Sequence, residues 1–514
     1  MLIRPFITIL RALLIVWQLG LLPLVAYAFD NSQYRVNTYG SSSLYCDLTL
    51  PIVTPSGTGT FADPWNATNC LSQPVAGNVV RVKAGVSQPI LTTDNDNIPV
   101  FQPANSGTVG NSIVYVTEWA SVGLSSVATN ANRTELRHSG VAPTISIPGG
   151  VGVGDGAAIL GGNGKNYVVY DGFYIDVTHA YPKEDSGIIR DENTIGLQFK
   201  NIYIKGATLT LASNAVVWRA ANSLDTVLYN IKTVDYINDG TGSATPQPSG
   251  WADAYGAKNF SLRHFEISNC GLGVFLKGSA DSGAALNYGL IEYGYVDGGL
   301  GGIQLHALHG TNLTTVRYVR VSNYVRQAFF LSNEVVESQN ILLDHVTAAN
   351  GATDLGGADG GALYSVRGGG ANDIGFASNI TFTNSIFDSP VTAASKTVNF
   401  DELIVAQDTF TSNYNGYMRG ANAASFGMES TTDTTMAAWR TRIGQDANSL
   451  ILVTEPFVNR AGGDFRTSPG HAVKTASSTG SEIGAYAGSE TVGLDLSEAP
   501  AASAGRFGPF TLRK

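Results

Sequence analysis

The feature that most constrains this chain is a repeat through its middle. "VVYDGFYI" from Val168 and "LQFKNIYI" from Leu197 place large residues at offsets 0, 2, 5 and 7. These are Val168, Tyr170, Phe173 and Ile175, then Leu197, Phe199, Ile202 and Ile204. The same template fits Phe260, Leu262, Phe265 and Ile267, and again Tyr288, Leu290, Tyr293 and Tyr295. It fits Thr314, Val316, Val319 and Val321, and Ile341, Leu343, Val346 and Ala348. Weaker copies start at Thr226 and Ile380, and successive starts differ by 29, 29, 34, 28, 26, 27 and 39 residues. Side chains two apart share one face of a strand but lie on different sides of a helix. The jump to offsets 5 and 7 marks a bend and a second short strand. One such coil cannot bury its own apolar face, whereas stacked coils share a long core. The expectation is an all-β chain: a right-handed parallel β-helix with an N-terminal cap and an irregular C-terminal closing segment.

Composition agrees. Only 14% of the 514 residues are charged, against about 25% in an average soluble domain. Glycine is abundant, with 59 residues, which suits tight turns between short strands. Residues 1–28 read as a signal peptide, with Arg4 and Arg11 ahead of an apolar stretch that ends Ala26-Tyr27-Ala28. An uncleaved anchor is the alternative, because the apolar run approaches spanning length. Cleavage implies a secreted product, extracellular or periplasmic, with no membrane association afterwards. Removing the two arginines takes the formal charge from −10 to −12. Nucleic acid is thereby excluded as a general partner, since phosphate binding needs a basic surface. Cys46 and Cys70 enclose a short loop suited to a disulfide in an oxidising compartment, while Cys270 reads as a buried single thiol. The expected organisation is a cap over 29–80, the solenoid over 81–400, the closing segment over 401–488 and a loose tail over 489–514. The chain is expected to act as a monomer.

A further strand recurs in each coil. "VVWR" (216–219), "VFLK" (274–277), "IQLH" (303–306), "FFLS" (329–332) and "ALYS" (362–365) align after a glycine or alanine. The first and third residues point inward: Val216 and Trp218, Val274 and Leu276, Ile303 and Leu305, Phe329 and Leu331, Ala362 and Tyr364. The fourth points out, giving a file of Arg219, Lys277, His306, Ser332 and Ser365. Phe275 and Phe330 face outward beside it. Exposed aromatics there can stack on sugar rings or pack beneath a loop.

At this point the sequence resembles a known group. "PSGTGTFADPWN" (55–66), "SGTVGNSIVYVTEW" (106–119) and "NYVVYDGFYI" (166–175) look like the opening segments of secreted right-handed parallel β-helix proteins of the pectate-lyase-like superfamily. "EPFVNRAGGDFRTSPGHAV" and "EIGAYAG" resemble the closing segments of that group. The architecture hosts lyases, hydrolases, epimerases and adhesins, so it implies fold more than function. Locally, "VDYINDGTGSATPQPSGWADAYGAKN" (234–259) is similar to the calcium-binding stretch of family-9 polysaccharide lyases. Those enzymes hold a uronate carboxylate on Ca²⁺ and use a lysine as base. The resemblance implies a Ca²⁺ site at Asp235, Asp239 and Asp253, although Ala254 stands where the family has glycine. Asp235 and Asp239 also suit turns beside Gly240.

These readings lead to a secreted polysaccharide lyase that cleaves an acidic, uronate-containing glycan by β-elimination. Lys277 is the expected base, assisted by His306 or Arg263, with Arg219, Phe275 and Phe330 binding substrate. Lys277 is equally a strand residue snorkelling over the core. His264 is a second candidate for charge or proton transfer, and His309 reads as a turn residue. The rivals are a glycoside hydrolase of the same fold, which requires two carboxylates at a set separation, and a non-catalytic glycan-binding surface protein.

Overall fold

The computed structural model describes residues 44–48, 50, 57–82, 87–89, 99–117, 144–146, 158–176, 187–206, 208–209, 216–238, 250–277, 288–306, 313–333, 339–351, 361–367, 378–389, 396–401, 410–418, 424–428, 431–488 and 490–494. The expected signal peptide, residues 1–28, lies outside them. Of Asp253, Lys277 and His306 the strand position alone is described.

Successive coils pair in parallel and stack into three sheets. The first runs through Leu44–Cys46, Val79–Val82, Ile113–Thr117 and Val168–Asp171 and continues, coil by coil, to Phe410–Asn413. The second carries the other half of each template, from Tyr174–Asp176 to Gly416–Met418 and Leu450–Ile451. The third runs from Pro99–Phe101 and Ala158–Asn163 through Leu272–Lys277 to Lys396–Asp401 and Phe426–Met428. This is the expected parallel β-helix, and parallel crossovers of this kind are right-handed. Strand pairing reaches beyond 81–400 at both ends.

The repeat offsets are the core. Val168, Tyr170, Phe173 and Ile175 are all fully buried, as are Leu262, Phe265 and Ile267 and all of Val316, Val319 and Val321. Aromatic rings continue from coil to coil, with Tyr115 stacked on Tyr170 and Tyr170 on Phe199. One frame departs from expectation. In the coil of Tyr288 the inward residues are Gly289, Ile291, Gly294 and Val296, because Leu262 pairs with Ile291 and Phe260 with Gly289. The rings of Phe260 and Phe265 fill the space: a Cβ at Gly289 would lie 2.6 Å from the first ring and one at Gly294 2.3 Å from the second. The apolar pattern slipped by one residue because glycine carries no apolar signal.

Among the described residues, the coils from Val168 onward turn from the first sheet to the second through one residue in the left-handed region. Gly172, Asn201, Asn230, His264, Tyr293, Tyr318, His345, Asn384 and Tyr414 occupy it. Asparagine tolerates that conformation and pairs along the stack: Asn201 Nδ2 donates to Asp171 Oδ1 at 2.7 Å and Asn230 Nδ2 to Asn201 Oδ1 at 2.6 Å.

Both ends of the core are covered. At one end, helix α1 (Ala67–Ser72) buries Cys70, which is bonded to Cys46 with Cα atoms 5.7 Å apart. Asn66 caps it, accepting the Asn69 amide. At the other, α2 (Met436–Ile443) begins at its cap Thr435 and ends at left-handed Gly444. It lays fully buried Trp439 against Phe400 and Phe426. Cys270 is free and buried, and burial pushes its thiol up to about 12. Among the described residues no helix is long and apolar enough to cross a membrane.

After α2 the chain runs back over the outer face of the second sheet. Arg460 pairs with Asp388, Ala485 N donates to Thr347 Oγ1 at 2.8 Å, and Tyr486 meets Arg320 at 3.0 Å. The tail beyond 488 departs from expectation where it is described. Val492 and Leu494 are buried, and Gly493 N donates to Tyr293 O at 3.0 Å. Two apolar residues amid Ala, Gly and Ser suffice to dock it.

Candidate functional site

Several of the residues singled out in the sequence lie on strands of the third sheet. Lys277 pairs in register with His306, and His306 with Ser332. Adjacent parallel strands lie about 4.8 Å apart, so the three form one row along the solenoid. A neighbouring row, two residues earlier on each strand, runs Arg219, Asp253, Phe275, Gln304, Phe330 and Tyr364. Arg219, Phe275, Gln304 and Phe330 are half-buried, while the inward residues on either side of them, Trp218, Val274, Leu276, Ile303, Leu305, Phe329 and Leu331, are buried. The alternation of a half-buried strand therefore places a cationic and aromatic row beside the lysine–histidine row.

Two members of the expected file belong elsewhere in the register. Arg219 stands opposite Asp253, in the row of the two phenylalanines, because Trp218 pairs with Ala252 and Ala252 with Val274. Val216, Trp218 and Ala220 are all buried, so the apolar pattern fits either frame. Ser365 pairs with Leu331, and Val366 takes the place beside Ser332. Ala362 and Leu363 are both fully buried where the coil enters the sheet, and the pattern again fits both frames.

Arg263 is not on this face. It lies in the first sheet, paired with Tyr229 and Glu292, and its Nε meets Glu292 Oε1 at 2.5 Å. It was assigned to the site on closeness in sequence, but a coil turns a corner between the two places. Asp235 sits at the turn after the second sheet, with φ of 58°, and its Oδ1 accepts Asn269 Nδ2 at 2.9 Å. That is the turn role its sequence also allowed. Asp239 and His309 lie outside the described residues. Asp253 is thus the member of the expected calcium set whose strand position is on the third-sheet face. Among the described residues no group of three His, Cys, Asp or Glu is arranged to hold a metal.

Beneath the start of the third sheet, Asp191 is fully buried and accepts the hydroxyls of Thr194 and Thr226. Burial raises its carboxyl above the usual range, partly offset by those bonds. It points into the core and is a packing element of the coil.

A second polar cluster, at the corner of the first and second sheets, was not found from the sequence apart from Arg263 and His264. The rings of His264, Tyr293, Tyr318 and His345 stack coil on coil, with centroids 5.4, 4.9 and 5.1 Å apart. Glu292, buried beside them, is clamped between Arg263 and Arg317, each at 2.5 Å. Burial, with the Glu490 and Glu292 charges, pushes the Tyr293 hydroxyl up to about 12. The available signal was the run of left-handed corner positions, where histidine and tyrosine replace asparagine.

The stacked parallel strands define the chain as a parallel β-helix. No protein-family model matches the sequence, and no curated protein matches it. Among solved structures, pectate lyase Pel9A is similar over 89% of this chain and 99% of its own, at 13% identity and a TM-score of 0.43. A rhamnogalacturonan lyase is similar over 73% of this chain and 87% of its own, at 13% identity and a TM-score of 0.39. A GH136 lacto-N-biosidase from Eubacterium ramulus is similar over 74% and 68%, at 9% identity and a TM-score of 0.42. Lyases and a hydrolase stand at comparable distance, and likenesses this remote carry no argument about activity.

Proposed function

We propose that the third-sheet face binds an acidic, uronate-containing polysaccharide and cleaves it by β-elimination, with Lys277 as the base. The observation that carries this reading is the pairing of Lys277 with His306 on neighbouring coils, one row away from Arg219, Phe275 and Phe330. β-Elimination needs a base for the C5 proton and positive charge near the adjacent carboxylate. Neutral lysine takes the proton, the electron pair forms the C4–C5 double bond, and the glycosidic oxygen leaves from C4. A lysine does this only where desolvation or nearby positive charge makes its neutral form accessible. Arg219 and His306 are suited to meet the carboxylate, and Phe275 and Phe330 to stack on sugar faces.

Calcium enters the proposal as a dependence to be measured. Asp253 would help to hold it from the third sheet, with Asp235 and Asp239 upstream in the same segment, and the ion would neutralise the uronate carboxylate. Asp235 is already engaged by Asn269. Export through an oxidising compartment is part of the same reading, and the Cys46–Cys70 bond supports it.

The test is a panel of pectate, alginate, glucuronan and glycosaminoglycans, each with calcium or with a chelator, followed by the ultraviolet absorbance of unsaturated product. A lyase yields that absorbance on at least one polymer. New reducing ends without it would identify a hydrolase, and retention without cleavage would identify a binding protein.

A further inference from the structure

The docked C-terminal segment ends on a histidine whose two ring nitrogens both face acceptors. His264 is 3% exposed at its side chain. Its Nδ1 lies 3.2 Å from the carbonyl oxygen of Gly493, and its Nε2 lies 2.9 Å from Glu490 Oε2. A carbonyl oxygen only accepts, so Nδ1 must carry hydrogen; an ionised carboxylate only accepts, so Nε2 must carry one too. Glu490 is 43% exposed, and its carboxylate also accepts from the Arg263 guanidinium at 3.4 Å. A ring with hydrogen on both nitrogens is an imidazolium.

We infer that His264, as an imidazolium, is a pH-sensitive latch that fastens Glu490–Leu494 to the solenoid. The inference is independent of the function proposed for the third-sheet face. His264 has φ of 53°, where preceding coils place Asn201 and Asn230. The groups around it are now all in view. Tyr229 meets it edge-on from the coil before, and Tyr293 stacks on it from the coil after. Arg263 on its own strand faces Glu490 and Glu292, and the C-terminal segment supplies Glu490 and the Gly493 carbonyl. On the adjoining second sheet, Lys232 pairs with Glu266, whose Oε1 accepts the Leu494 amide at 3.5 Å.

The sign follows from the donors. The segment is held while the ring carries two protons. When the ring gives one up at higher pH, a nitrogen lone pair faces the Glu490 carboxylate, and that fastening is lost. The terminal turn then opens, while Tyr486 and Ala485 keep the rest of the segment in place.

Two measurements test the latch. Selective ¹⁵N labelling of histidine, assigned with His264→Asn, reads the protons on the ring. Amide hydrogen exchange at Gly493 and Leu494, normalised to the amide of Leu452 in the same sample, reads the opening. His264→Asn suits the left-handed backbone, and Glu490→Gln changes only the segment. The expected result is two protonated ring nitrogens at about pH 6 and a normalised exchange that rises about tenfold by about pH 8. Both variants should lose that rise, because neither pairs an imidazolium with a carboxylate. A ring with a single proton at about pH 6, or a rise that persists in either variant, would overturn the inference.

Discussion

The third-sheet face and the corner between the first and second sheets are built by the same coils and put to opposite use. At the corner, side chains of neighbouring coils satisfy one another. Asn230 bonds to Asn201, His264 stacks on Tyr293, and Glu292 is clamped by two arginines. The returning C-terminal segment then covers part of that corner. On the third-sheet face the rows mix Arg219, Asp253, Phe275 and Gln304 with Lys277 and His306, a sequence of unlike chemistries along one line. At the corner, like rings and complementary charges stacked in register tie coils together, whereas the third-sheet rows set apolar, amide and charged residues side by side. The difference shows how a repeat can hold its shape on one side while varying its chemistry on another.

Substitutions can break that contrast. The largest effect is expected at Lys277. Lys277→Ala should lower formation of unsaturated product by about 100- to 10,000-fold and leave the unfolding midpoint nearly unchanged, because a surface change costs within about 0.5 kcal/mol. Lys277→Arg should be equally inactive, since guanidinium does not give up its proton at working pH. Full activity in Lys277→Ala would reduce the lysine to a side chain lying over the core.

At the corner the order should reverse, with stability lost and product chemistry kept. Glu292→Ala leaves two guanidiniums facing each other. It should cost up to about 3 kcal/mol by denaturant unfolding, the low end of the buried-pair range, because Arg317 is 42% exposed and its charge is screened. Gly294→Ala brings a Cβ to 2.3 Å from the Phe265 ring and should cost about 1–3 kcal/mol through overpacking. Asn230→Ala removes one rung of the ladder and should cost about 1 kcal/mol. A corner variant that kept its stability but lost product would show that the two regions are not separable.

Much of the fold was legible because the inward positions carry large apolar residues at fixed offsets, and burial is what those offsets encode. The pattern failed where burial is achieved by subtraction, at Gly289 and Gly294, whose missing side chains admit Phe260 and Phe265. It also failed where a strand buries adjacent residues, as at Val216 to Trp218 and at Ala362 to Leu363. The pairing of Lys277 with His306 was legible, since two strands of equal pattern lie one coil apart. The place of Arg263 was not, because two corners, at His264 and Asn269, separate it from Lys277 in the chain. Nor was Glu490 as a partner of His264, since more than two hundred residues intervene and only the returning segment joins them.

The corner has one more consequence. From Val168 onward each described coil crosses from the first sheet to the second on a single left-handed residue, from Gly172 and Asn201 to Asn384 and Tyr414, whatever the length of the coil. It therefore serves as a common index mark against which every coil is set. An insertion at that mark would rotate all later coils out of phase, whereas an insertion between marks only lengthens a loop. A stretch cut from one mark to the next, such as Asn201 to Asn230, is a natural unit of exchange, by which coils could be added, removed or traded without disturbing their neighbours' alignment.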